Sequence, residues 1–115
     1  GYAVIHDIAR HDASSRVRSQ SLFWMAQTAD ARAARDIRAA LAADADADVR
    51  EQAVFALSQL QTGGDAALIE VVRSDAPREV KEKALFWLGQ SGSDEAMAFL
   101  DRVLTASSDT PRRSK

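Results

Sequence analysis

Apolar residues recur along the chain at steps of three and four, the spacing of one helical face. Ile5, Ile8 and Ala9 form one such set. Ile37, Ala40 and Leu41 form a second, Leu68, Val71 and Val72 a third, and Leu100, Val103 and Leu104 a fourth. Between these sets lie three longer segments that align without gaps. They run Val17–Gln27, Val49–Gln59 and Val80–Gln90, and their leading valines stand 32 and then 31 residues apart. The Val, Phe and Gln columns are identical, and the second column is Arg18, Arg50 and Lys81. The pattern predicts seven helices, over 2–11, 14–28, 30–43, 46–61, 65–74, 77–90 and 94–106, and no strands. Each unit is a helix A, a turn and a helix B. The fourth helix A lacks a helix B and is followed by the polar stretch 107–115, which reads as a disordered tail.

A fixed period of this length marks a solenoid or array, in which each unit buries its apolar face only against its neighbours. Turn residues agree with the division. Asp12, Asp44 and Asp75 each precede a leading Val by five residues, Pro77 suits a helix start, and Gly63-Gly64 and Ser91-Gly92-Ser93 separate B from A. The expected units are 2–28, 30–61, 64–91 and the half unit 94–106, in one domain.

The pattern Asp-x-x-x-x-Val-Arg-x-x-Ala-x-x-Ala-Leu resembles a HEAT repeat. Its period is shorter than the ~40–47 residues usual for HEAT and armadillo units. It is similar to the compact bacterial HEAT-like kind, found also in phycobilin lyases. The resemblance covers residues 2–106. It implies an all-α, right-handed α-solenoid of about three and a half helix pairs, with the B helices lining a concave surface. It also implies a binding scaffold rather than an enzyme.

Advancing 100° per residue from each Val places Ala53, Ala56, Leu57 and Leu60 with Val49 in the core stripe of the middle unit. The sixth position points away from that stripe and holds Phe23, Phe55 and Phe86. Beside it lie Gln20, Gln52 and Lys83, then Gln27, Gln59 and Gln90. Stacked helices sit ~8–10 Å apart, and an extended peptide rises ~3.3 Å per residue. Three Phe rings at that step would each meet every third residue of a bound peptide, with the glutamines bonding its backbone. The competing explanation is packing alone, with Phe on Phe and a glutamine ladder between units. Trp24 and Trp87 fall one position further on, at the core border, and would bracket a pocket over Ala56.

Charge and composition narrow the rest. The chain has 115 residues, 46% hydrophobic and 28% charged, enough for a folded domain. Fifteen basic against seventeen acidic residues give a net charge of −2, which offers no general attraction to nucleic acid or to an anionic membrane. No segment approaches the ~20 apolar residues of a membrane span, and no signal peptide opens the sequence. A soluble protein is expected, in a compartment the sequence leaves open. With no cysteine, disulfides and thiolate chemistry are excluded. His6 and His11 are five residues apart, on different helical faces. Asp44–Asp48 begins like a calcium loop, but Val49 and Phe55 occupy its glycine and glutamate positions; the run reads as a helix cap. The recurring Asp and Arg/Lys columns read as turn caps and ion pairs between units. Arg32, Arg35 and Arg38, interspersed with Asp30 and Asp36, read as a solvated face. No cofactor or metal is expected.

The expected function is therefore non-catalytic binding of a protein or peptide through the Phe and Gln stripe. Neither end helix reads as a polar cap, so a structural or self-associating segment of a longer array is the alternative. A bilin lyase or DNA-glycosylase-like enzyme is the weakest reading, since the stripe has no basic lining and no acid–base set.

Overall fold

The computed structural model describes residues 1–108, with side chains to 106. It is all-helical: among the described residues there are seven helices and no strand. They are α1 (Tyr2–His11), α2 (Ser15–Gln27), α3 (Ala33–Ala43), α4 (Ala47–Ser58), α5 (Gly64–Arg73), α6 (Arg78–Ser91) and α7 (Asp94–Ser108). Residues 109–115, most of the stretch expected to be a disordered tail, lie outside the described residues; Ser107 and Ser108 belong to α7.

Local chemistry sets the boundaries. Ser14 caps α2 by accepting from the Val17 N–H at 3.3 Å. Asp46 caps α4 by accepting from Asp48 and Val49 at 2.8 and 3.2 Å. Pro77 sits just before α6 instead of inside it. The start of α3 is three residues later than expected, because the Asp30 carboxylate accepts from the Arg32 N–H and holds a turn. Gly63 precedes α5 with φ +80, a conformation that favours glycine. At Gly64 an added Cβ would lie 2.6 Å from the Leu57 carbonyl oxygen; only glycine lets the chain pass that close to α4.

The helices pack in two rows. α2, α4 and α6 lie side by side in one, and α1, α3, α5 and α7 follow one another in the second. The molecule is elongated, 56 × 27 × 17 Å. Leu22, Met25, Ile37, Leu57, Leu68 and Leu88 are wholly enclosed between the rows. Ala53, Ala56 and Leu57 of the expected core stripe are buried, and Leu60 packs at its edge.

Two polar clamps join successive pairs. Arg18 donates to both oxygens of Asp44, at 2.8 and 3.3 Å, and to the Asp12 carbonyl at 2.7 Å. Asp12 and Asp44 also accept from the N–H groups of Ser14 and Asp46, as the capping reading expects. The third unit differs. Ser74, not Asp75, accepts from Ala76, and Arg50 donates to the Asp44 and Ala45 carbonyls of its own turn. The second clamp joins α1 to α3. The Tyr2 hydroxyl donates to Asp36 at 2.6 Å, Arg35 donates to the same carboxylate at 3.3 Å, and the Arg32 guanidinium lies 4.5 Å from the Tyr2 ring centre. Asp36, expected on a solvated face, is buried.

Burial pushes the Asp36 carboxyl up, but hydrogen bonds from Tyr2 and Arg35 and the neighbouring His6 and Arg35 bring it below the usual range. At Asp44 burial is likewise outweighed, by Arg18 and the Asp46 N–H. Arg32 holds Asp30 down to about 2. A depressed folded-state pKa contributes stability above the unfolded value, and that stability is lost as pH falls towards the folded one. Resistance to urea should therefore hold near neutrality and drop as pH falls from about 4 to about 2. The Asp44→Asn variant should be less stable near neutrality and show a shallower acid drop; an acid drop as steep as that of the parent chain would contradict the role given to that carboxylate.

A candidate partner-binding face

Each B helix carries its sixth-position Phe on the side away from the other row, and side-by-side packing of α2, α4 and α6 brings the rings together. Phe23 and Phe55 stack nearly parallel, with centroids 6.2 Å apart and planes 7° from parallel. Phe55 then meets Trp87 at 5.2 Å. Phe23 turns its edge to Trp24 at 5.4 Å, and Phe86 does the same to Trp87 at 5.0 Å. Five rings thus form one continuous band, in the order Trp24, Phe23, Phe55, Trp87, Phe86. Edge-to-face and offset pairs at such spacings contribute about 0.5–1.5 kcal/mol each beyond their burial.

The band differs from the evenly stepped Phe column expected from the sequence. Phe55 is reached on the α6 side by Trp87, not Phe86. The indole is the larger ring and stands one position round the helix, so it fills the space beside Phe55 and leaves Phe86 outside. Exposure follows from this arrangement. Phe23 and Phe55 are half-buried by their neighbours, whereas Phe86 is 54% and Trp24 58% exposed. Trp87 is half-buried and packs on the core. The expected pocket over Ala56 does not exist, because Ala56 has no exposed surface. Trp24 lies on the far side of Phe23, separated from Trp87 by two rings.

Gln20, Gln52, Gln27, Gln59 and Gln90 are all exposed, as is Lys83. Among the described residues no hydrogen bond links one glutamine to another; Gln59 donates weakly to its neighbour Ser58, at 3.3 Å. The carboxamides therefore have donors and acceptors open to solvent. Gln59 and Gln90 also line an open cleft of about 480 Å³ at the C-terminal ends of α4 and α6, together with Trp87, Asp65 and Glu95. The sequence placed both glutamines beside the Phe column but gave no sign of the cleft. Asp65 belongs to the next helix A, and the turn at Gly63-Gly64 brings it in.

No metal-binding cluster of His, Asp or Glu forms among the described residues. No helix among them is long and apolar enough to cross a membrane. No family model matches the chain, and no curated protein matches it closely enough to suggest a relative.

Exposure separates the roles of the adjacent rings of α6. Phe86→Ala should change unfolding free energy by less than about 1 kcal/mol. Trp87→Ala, which removes a ring packed on the core and on Phe55, should cost about 2–4 kcal/mol. Chemical denaturation of both variants checks this, and equal losses would mean that the two rings are buried alike.

Proposed function

We propose that this chain is a HEAT-like α-solenoid segment that binds a protein or peptide across its B-helix face, without catalysis. The carrying observation is the five-ring band with its two ends, Trp24 and Phe86, more than half exposed. Folding does not require large apolar rings at such exposure, and contiguous apolar surface of this kind is characteristic of interaction sites. The row of B helices, one per 31- to 32-residue period, supports the solenoid reading.

The band suits an extended segment better than a compact one. It runs across three helices through ring-to-ring steps of 5.0–6.2 Å, a path that about six extended residues would follow. The glutamines on either side supply donors and acceptors for the backbone of such a segment. Aromatic anchors flanked by carboxamides fit extended-peptide recognition in general, in which main-chain bonds supply affinity and rings supply specificity.

A second reading rests on different residues. Val4 on α1 is 60% exposed, and Met97 and Leu104 on α7 are 48% and 67% exposed. These place apolar side chains at both ends of the rows, where a second copy or a further unit would cover them. In sedimentation, mass rising with concentration and abolished by Leu104→Glu favours that reading.

For the leading reading, peptides selected by display against the full chain should lose affinity for Trp24→Ala and Phe86→Ala by about 5- to 150-fold, the effect of removing an anchor worth ~1–3 kcal/mol. Neither substitution is expected to unfold the chain. Selected peptides that bind both variants as tightly as the parent would overturn the assignment of this face.

A further inference from the structure

The aromatic band is bordered by carboxylates, and this bears on what binds it. On α4, Glu51 stands one helical turn before Phe55, and on α6 Glu82 stands one turn before Phe86, so each acid lies on the same side as its ring. Asp48 and Glu79 continue the acidic rows toward the helix starts. All four are exposed. Glu82 has a loose contact with Arg78 at 3.8 Å, while Asp48, Glu51 and Glu79 have no ion-pair partner among the described residues. Acids in a first helical turn are favoured by the helix dipole, which accounts for Asp48 and Glu79. Glu51 and Glu82 lie beyond that turn, where the effect has faded, so the dipole does not explain them.

The opposite border of the band is acidic too. The cleft beyond Trp87 holds Asp65 and Glu95, and no Lys or Arg lines it. Asp65 is held by the hydroxyls of Ser91 and Ser93, which fixes its carboxylate at the cleft wall. By position in the repeat, Arg16 stands on α2 where α4 has Asp48, and Arg78 and Lys83 flank Glu79 and Glu82 on α6. On α6 two acids thus face two cations, whereas α4 carries Asp48 and Glu51 with its Arg50 turned to the Asp44 and Ala45 carbonyls; the acidic excess lies on α4 and in the cleft, while α2 carries Arg16 and Ser19 in the corresponding places.

We propose that the segment bound on this face is a basic, extended peptide. Its apolar side chains cover the rings, and its Lys or Arg side chains reach the carboxylates on both borders of α4 and α6. This rests on the peptide-binding reading above and adds the chemistry of the partner. Two features of the face favour a cation over a neutral side chain. Asp48, Glu51, Glu79 and Glu95 have no ion-pair partner among the described residues, and Glu82 only the loose contact with Arg78, so a cation bound to them displaces little but water. The exposed faces of Phe86 and Trp24, with the indole wall of the cleft, attract a guanidinium or ammonium placed over them. Opposed charge of this kind also steers encounter and makes the on-rate sensitive to salt.

The test uses three labelled peptides that share the same Phe, Leu and Pro anchors. Their remaining side chains are Lys and Arg in the first, Gln in the second and Glu in the third. Fluorescence anisotropy with the full chain at low salt should rank them basic, neutral, acidic, with at least a tenfold gap between first and last. Added salt should weaken the basic peptide most. The Glu51→Gln, Glu82→Gln double variant should weaken the basic peptide about three- to tenfold and leave the neutral one unchanged. If the neutral peptide binds as tightly as the basic one, and the double variant changes neither, the inference about charge fails and the peptide-binding reading stands. If none of the three binds, both fail. If the basic peptide binds but Trp24→Ala and Phe86→Ala leave its affinity unchanged, attraction is diffuse and the assigned face is wrong.

Discussion

A single pair of short helices cannot enclose its own apolar surface, and the rest of this structure follows from that constraint. Met25, Leu57 and Leu88 occupy the same position in three successive B helices, and each is wholly buried because other helices close over it. That requirement fixes the repeated columns, the short turns that return each helix to its row, and the small residues such as Ala53, Ala56 and Ala84 that let helices approach. It also explains the side chains that escape burial. Val17 is 37% exposed, whereas its counterparts Val49 and Val80 are enclosed; α4 packs between α2 and α6, and α6 packs on α7 as well as on α5, whereas α2 begins its row.

Packing in rows has a second consequence. Side chains pointing away from the core meet their counterparts on the next helix, so a residue repeated once per unit becomes a continuous strip. Phe23 and Phe55 are half-buried for this reason: they cover one another on the outer side. The same strip is both part of the inter-helix contact and open to solvent, and its outermost rings have nothing further to pack against. Burial is thus divided along the band, with the middle rings packed between helices and the end rings left exposed.

Much of this was legible from spacing. Helix number and order, the Ala and Leu core columns and the outward Phe column all follow from a 3.6-residue period repeated every 31 to 32 residues. What was not legible depended on distance or on relative size. Tyr2 and Asp36 are 34 residues apart, and nothing local to Asp36, set among arginines, marks it as buried. The substitution of Trp87 for Phe86 beside Phe55 comes from the reach of the larger ring, which a column alignment treats as equivalent to any other position. The pocket expected over Ala56 failed for a similar reason: the absence of a ring at one position does not leave a hole when neighbouring rings and helices close over it. Asp75 matches Asp12 and Asp44 in sequence, yet Ser74 takes over the turn one residue earlier.

The account depends most on the band being continuous and unevenly exposed, and tryptophan quenching tests this directly. The chain has two tryptophans, so Trp24→Phe and Trp87→Phe each leave one reporter. Acrylamide should quench Trp24 several-fold more efficiently than Trp87, and the emission of Trp24 should be the more red-shifted. Equal quenching of both would mean that the rings are not arranged as described, and the case for a presented aromatic face would be lost.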